Sequence, residues 1–242
     1  MASSPDHAAR VRNLRGWCRP SSVHGRSLQY SENVVAPRDN PLNEPQPGLP
    51  ARAARPSEAE LRDAVRILIA GIGDDPAREG LVDTPDRVVR AYGEWFVGYR
   101  IDPAEVLRAG RRRVAGSAEL VVLRNVPLTS HCDHHIAPIL GTVDLAYAPG
   151  PYLAEPEDLC RAVDAVARRM QSQETMTVQI ARAVEQAIEA RGVAVIVAAQ
   201  HLCMTTRGVQ QTGAVTVTTQ LLGAFRDDSM ARQEVLALLR RR

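Results

Sequence analysis

The sequence contains no lysine, because all 30 of its basic residues are arginine. This absence excludes Schiff-base catalysis by a lysine and any phosphate-binding loop that ends in Gly-Lys. Aromatic residues make up only 4% of the 242 residues, too few for a surface on which nucleic-acid bases stack. The formal net charge is only +2. We therefore expect neither nucleic acid nor a membrane among its partners.

Cysteines and long apolar runs are also scarce. The four cysteines are too few for the disulfide framework of a secreted protein. No apolar run approaches the 18–20 residues that cross a bilayer, and the first thirty residues lack the apolar core of a secretory signal. The arginine- and serine-rich start resembles an organelle transit peptide, but a disordered tail is the favoured interpretation. We expect a cytoplasmic protein.

Proline divides the chain into two parts. Residues 1–55 hold seven of the 16 prolines and no sustained apolar period, which is typical of a disordered tail. The globular domain is expected at 56–242, with a helical part at 56–115 and a core at 116–242.

The apolar spacing predicts helices, then strands. Ser57 and Glu60 form a capping box before the first helix, and Thr84-Pro85 is expected to be the N-cap and first residue of the second. Further elements are expected as strands at 119–126 and 136–147, helices at 156–170 and 173–191, strands at 193–204 and 214–222, and a helix at 234–239. This order predicts an α+β fold, an antiparallel sheet backed by helices.

Two short clusters carry metal-ligand spacing. Cys132 and His135 form a C-x2-H pair, and Cys203 lies on a predicted strand with its side chain on the same face as His201. Two thiolates and one imidazole form a set that Zn²⁺ prefers, and three protein ligands leave a fourth position for water. Asp133 is an alternative ligand with awkward geometry, and buried cysteines without a metal are common.

Two histidines beside these ligands would remain unliganded. His134 and His201 are therefore candidates to transfer protons near neutral pH.

Four ordered segments carry a family resemblance over residues 57–240. They are Thr84–Val88 (TPDRV), Thr129–His135 (TSHCDHH, followed by Gly141 and Ala146-Tyr147), Arg168–Thr177 (RRMQSQETMT) and His201–Val209 (HLCMTTRGV). Each is similar to a motif of the GTP cyclohydrolase I family, and so the chain resembles that family along most of its length.

The resemblance implies a fold, an assembly and a set of ligands. The implied fold is the tunnelling fold, assembled as a homo-oligomeric ring of ten subunits. The zinc ligands carry over to Cys132, His135 and Cys203, and the catalytic histidines to His134 and His201. Glu174 would anchor guanine, with Gln173 beside it, since a carboxylate can accept hydrogen bonds from N1–H and the 2-amino group. On spacing alone, the better interpretation of Glu174 is a charge that complements a helix N-terminus.

The implied reaction is hydrolytic opening of the guanine imidazole ring of GTP at C8, with release of formate. Its product in the family is dihydroneopterin triphosphate, a precursor of folate. The resemblance further implies phosphate contacts at Arg87, Arg90, Arg161 and Arg207.

The implied triphosphate site is where the sequence departs from the family. Glu157 and Asp158 stand in place of a serine and a lysine of the family segment G-L-S-K-x-x-R, and two anions there oppose phosphate binding. Thr175 replaces an arginine of the family, without explanation. Three hypotheses follow: a GTP cyclohydrolase with weaker phosphate binding, a paralogue that opens a less phosphorylated or modified purine, and a non-catalytic purine-binding or regulatory ring subunit.

Overall fold

The computed structural model describes residues 56–114 and 119–240. The tail expected at 1–55 lies outside these residues. The helices are α1 (Glu58–Gly71), α2 (Thr84–Trp95), α3 (Pro103–Gly110), α4 (Pro156–Ala167), α5 (Gln173–Ile188), α6 (Leu202–Thr205), α7 (Ala224–Asp227) and α8 (Ser229–Arg240), with a 3-10 turn at Val97–Arg100. The strands are β1 (Arg112–Arg113), β2 (Val121–Cys132), β3 (Pro138–Ala148), β4 (Tyr152–Leu153), β5 (Met170–Gln171), β6 (Gly192–His201) and β7 (Thr216–Gly223).

The main sheet has five strands in the order β5-β2-β3-β6-β7. The pairs β2–β3, β3–β6 and β6–β7 are antiparallel, which confirms the predicted α+β fold with an antiparallel sheet backed by helices. The short strand β5 instead pairs parallel to the end of β2, with Cys132 opposite Gln171. A strand of two residues shows no periodicity, and so β5 was not predicted. Its pairing places the start of α5 beside Cys132.

Both faces of the sheet are covered. One core cluster includes Val143, Leu145, Met176, Val195 and Val197, and lies where α4 and α5 pack on the sheet. A smaller cluster lies on the opposite face, under α7 and α8, and is formed by Ala146, Ala194, Ile196, Phe225, Val235 and Leu239. Strand β6 is central to both clusters, which explains why its sequence is almost continuously apolar.

Two of the N-terminal helices were predicted from the sequence, although one of them begins at a different residue, and a third was not predicted. The capping box at α1 is confirmed, because the Ser57 side chain accepts from the Glu60 backbone and the Glu60 carboxylate accepts from the Ser57 backbone. Helix α2 begins one residue earlier than expected, with Asp83 rather than Thr84 in the N-cap position. Helix α3 was not predicted, although Asp102 caps it with two hydrogen bonds.

Two strand boundaries differ from the sequence prediction at positions that matter for the site. Strand β2 extends through the polar segment to Cys132, which was expected to lie in a loop. Strand β6 ends at His201, and Cys203 lies on the helical turn α6. The expectation that His201 and Cys203 share one face of a strand is therefore wrong, because the chain turns between them.

The described residues contain no helix that is both long and apolar enough to span a membrane.

Candidate metal centre

A tight loop after β2 presents the first two candidate ligands. The loop is closed at both ends, since Ile136 N donates to Cys132 O at 2.9 Å and Cys132 N donates to Ala137 O at 2.9 Å. Ile136 has a φ of 55°, a left-handed conformation that is strained for a β-branched residue. Such strain is retained when the surrounding structure enforces it, and it concentrates at functional sites. Here it turns the chain directly after His135.

The third ligand follows β6, which is separated from β2 by β3 in the same sheet. Strands β3 and β6 pair with Ile139 opposite His201, so the end of β6 lies beside the start of β3. The turn α6 then carries Cys203 toward the loop after β2. The side chain of Cys203 is half-buried, Cys132 is buried and His135 is exposed. The group therefore lies at the surface end of the core, where a substrate can reach it.

The geometry of the three side chains fits a metal ion. The ligand atoms of Cys132, His135 and Cys203 all lie within 4.8 Å of one another. Two sulfurs bound at 2.3 Å on a tetrahedral zinc are about 3.8 Å apart, so shifts of under about 1 Å would complete the coordination. The sequence prediction of this ligand set thus agrees with the placement of all three residues.

Without a cation, the electrostatics of this group favour protonated thiols. Burial raises the pKa of the Cys203 thiol, and the neighbouring Cys132 raises it further. Two adjacent thiols resist losing both protons, because each thiolate repels the other. A bound divalent cation reverses this, since ligation favours the thiolate.

Arg207 contacts the ring of His135, one of the three candidate ligands. Its Nη1 lies 2.9 Å from His135 Nε2, while His135 Nδ1 lies 4.0 Å from Cys132 Sγ. A guanidinium only donates hydrogen bonds, so Nε2 is the acceptor. Ligation of a metal through Nδ1 would place the ring proton on Nε2 and require Arg207 to turn away from it.

His201 is held by a buried amide. Its Nε2 lies 2.8 Å from Gln173 Oε1, and the Gln173 side chain is fully buried at the start of α5. Burial lowers the pKa of His201 below the ordinary histidine value, and the nearby Glu174 carboxylate acts in the opposite direction. Glu174 itself is exposed, within the first turn of α5. The structure thus brings His201, Gln173 and Glu174 together.

His134 lies on the same loop as His135 but points outward. Its side chain is 77% exposed, and its Nδ1 lies 3.5 Å from an Asp133 oxygen. Asp133 is not part of the group of three convergent ligands. The ring of His134 is therefore accessible from solvent.

The candidate phosphate-binding arginines are dispersed. Arg161 lies 3.5 Å from both Glu157 and Asp158, so the two residues that depart from the family pattern partly neutralise it. Arg87 pairs with Asp83 at 3.1 Å on α2, and Arg90 is exposed one turn later. Within the described residues of one chain, only Arg207 of these four lies against the metal group.

Sequence reasoning missed three residues that support the site. His131 is buried beside Cys132, and its ring lies 5.2 Å from that of Trp95 and 4.9 Å from that of Phe96. These contacts tie the end of α2 to the end of β2. Thr177 and Thr218 both form hydrogen bonds with Gln173. The alternation of Thr216 and Thr218 on β7 was an available signal, because it places two polar side chains on one strand face.

The α+β fold and the convergent group of two thiols and one imidazole are compatible with an enzyme that holds a catalytic metal ion. Comparison with known sequences identifies the family. The sequence model of GTP cyclohydrolase I matches residues 61–240, and the chain belongs to that family.

Individual relatives agree with this assignment. GTP cyclohydrolase 1 of Maricaulis maris (strain MCS10) is 48% identical over 187 residues, which cover 77% of this chain and 91% of the relative. The enzyme of the same name from Hyphomonas neptunium (strain ATCC 15444) is 47% identical with the same coverage. That from Allorhizobium ampelinum is 43% identical, with 78% of this chain and 94% of the relative covered.

Solved structures match over a smaller part. An archaeosine synthase QueF-Like structure in the apo form covers 44% of this chain at 18% identity and a TM-score of 0.37. The family assignment rests on the sequence relatives.

Proposed function

We propose that this chain is a zinc-dependent GTP cyclohydrolase I, which opens the imidazole ring of GTP at C8 and releases formate. The observation that carries the proposal is the convergence of Cys132, His135 and Cys203 in a chain of this family. The fit of the donors favours zinc, since two thiolates and an imidazole suit its softness and tetrahedral geometry. When bound, zinc supplies an electrophilic centre that lowers the pKa of water.

The other residues have separate tasks in this proposal. Glu174 accepts hydrogen bonds from N1–H and the 2-amino group of guanine, which orients C8 toward the metal group. His201 and His134 transfer protons to and from the ring nitrogen and the attacking water. Arg207, at the edge of the group, supplies a positive charge for the phosphates. Ring opening and deformylation each consume one water, and closure of the pterin ring returns one.

The proposal is tested by supplying zinc-loaded protein with GTP and measuring formate and dihydroneopterin triphosphate. Equimolar formation of both is expected. Tight zinc binding without formate from any guanine nucleotide would favour the non-catalytic ring subunit instead.

One observation favours a second candidate, the same ring opening on a less phosphorylated or modified guanine compound. The acidic side chains of Glu157 and Asp158 contact Arg161 at the position where the family provides a serine and a lysine. The second candidate is preferred if GMP or guanosine releases formate with a higher kcat/KM than GTP.

Replacement of this acidic pair is expected to strengthen GTP binding. Each unit charge about 4 Å from a phosphate oxygen is worth roughly 4 kcal/mol at an effective dielectric constant of 20, before discount for solvent. Both Arg161 and Glu157 are well exposed, so most of this is screened. The double variant Glu157→Ser with Asp158→Lys should lower the KM for GTP by at least about tenfold, about 1.4 kcal/mol.

Two controls separate charge from shape in this experiment. The neutral variant Glu157→Gln with Asp158→Asn should give an intermediate KM. The affinity for guanosine, which has no phosphate, should stay the same in all variants. An unchanged KM for GTP in the double variant would refute the charge argument.

We also propose that the chain assembles as the ten-subunit ring of its family. Helix α1 and the residue that caps its C-terminus support this, since Ile67, Leu68 and Ile72 are 70%, 68% and 83% exposed in a single chain. Light scattering should give about 264 kDa for ten copies of the 26.4 kDa chain. A mass of one chain would refute the ring.

A further inference from the structure

We infer that Gln173 is a positioning residue that fixes the ring proton of His201 on Nε2 and so leaves Nδ1 as the ring nitrogen with a free lone pair. The inference rests on the proposed role of His201 in proton transfer. It replaces the substrate contact that the sequence predicted for Gln173.

The orientation of the Gln173 amide is determined by its neighbours. Its nitrogen lies 3.1 Å from Val197 O and 3.0 Å from Thr216 O. Backbone carbonyls only accept hydrogen bonds, so the end of the amide that faces them must be the donor. The opposite orientation would bury the amide oxygen against two other oxygens, which is unfavourable because the amide oxygen would have no donor there.

Two threonine hydroxyls reinforce this orientation. Thr177 Oγ1 donates to the backbone carbonyl of Gln173 at 2.7 Å, which uses its only hydrogen. Thr218 Oγ1 lies 2.6 Å from Thr177 Oγ1 and must therefore donate to it. The lone pairs of Thr218 Oγ1 then face the Gln173 amide nitrogen at 3.1 Å, and this nitrogen shares its two hydrogens among three acceptors. These hydrogen bonds all require the nitrogen of the Gln173 amide, and not its oxygen, to face Val197, Thr216 and Thr218.

The direction of this network decides the state of His201. Because the amide nitrogen faces the carbonyls, the amide oxygen faces His201 Nε2 at 2.8 Å. An amide oxygen only accepts, and so Nε2 carries the proton of the neutral ring. Nδ1 is then the unprotonated nitrogen of that ring.

The same contacts leave Gln173 without a free atom for a substrate. Both ends of its amide are engaged and its side chain is fully buried. Its effect on the reaction therefore passes through His201. A fixed tautomer removes the need to select the correct ring form in each turnover.

The position of the proton can be measured without turnover. Zinc-loaded full-length protein labelled with ¹⁵N at histidine would be sedimented and its ring nitrogens observed by solid-state NMR at about pH 8, where histidine is neutral. The signals of His201 are identified by their loss in His201→Asn. We expect a protonated Nε2 and an unprotonated Nδ1; the reverse tautomer, or an equal mixture, would overturn the inference.

A variant tests whether Gln173 fixes the tautomer of His201. Gln173→Met keeps the approximate length of the side chain and removes both hydrogen-bonding ends. We expect a mixture of His201 tautomers and a fall in kcat of about 10- to 100-fold, with KM for GTP changed less than threefold, about 0.6 kcal/mol. A single Nε2–H tautomer in Gln173→Met, or an effect confined to KM, would contradict the role.

The matched control lies on the same helix. Gln179 is half-buried, and within the described residues its Oε1 has no hydrogen-bond partner. Gln179→Met should leave the His201 tautomer unchanged. If the wild-type protein shows the expected tautomer but releases no formate, the proposed function fails and the proton assignment stands. If Gln173→Met does not fold, the wild-type spectrum alone decides.

Discussion

Cys203→Ser is expected to lose the metal and the activity together. A serine hydroxyl does not ionise near neutral pH and is a harder donor than a thiolate, so only Cys132 and His135 would remain as effective ligands. Zinc content should fall from about one per chain to well below one after dialysis. Turnover of GTP should fall by at least about 100-fold, since removal of even a supporting residue of a zinc site typically costs 10–100-fold.

Cys160 provides the matched control for this variant. It is half-buried on α4 and packs against the core, outside the metal group. Cys160→Ser should keep its zinc and its turnover, at a small cost in stability. Full zinc content in Cys203→Ser, or an equal loss in both variants, would show that the three residues do not form the metal site.

Glu174→Gln is expected to weaken guanine recognition strongly. The variant keeps the size of the side chain but replaces one of two acceptor oxygens with a donor and removes the charge. A hydrogen bond to a charged group is worth about 1.5–3 kcal/mol, so kcat/KM for GTP should fall by about 10- to 100-fold. Steady-state kinetics with GTP measure this effect.

A purely structural role for Glu174 gives a different result. A carboxylate in the first turn of a helix stabilises it by about 0.3–1 kcal/mol through the helix dipole. In that case, Glu174→Gln would lower the free energy of unfolding and leave kcat/KM almost unchanged. Glu185→Gln, the same substitution farther along α5, should leave kcat/KM for GTP unchanged in either case.

The parts of the fold that the sequence predicted are those with a repeating physical signal. The core strands β3 and β6 and the helix α5 show clear apolar periods, because one or both faces are buried. The capping box at Ser57 and Glu60 is a local device, and its two hydrogen bonds depend on four residues alone. Short elements held by distant partners, such as β5, carry no such signal.

The candidate site likewise contains residues that the sequence predicted and contacts that it did not predict. The spacing of Cys132 and His135 and the chemistry of Cys203 were enough to propose the ligand set. The contact between Gln173 and His201 was not predictable, because it depends on how α5 packs against the ends of β6 and β7. The position of Cys203 on a helical turn was also not predictable, because α6 packs against β3 and β6 while the apolar run itself continues past His201.

X-ray absorption at the zinc edge tests the metal centre most directly, on zinc-loaded wild-type protein. Two sulfurs at about 2.3 Å, one nitrogen at about 2.0–2.1 Å and one further light atom are expected. A first shell of nitrogen and oxygen alone, or with four sulfurs, would contradict a centre built from Cys132, His135 and Cys203.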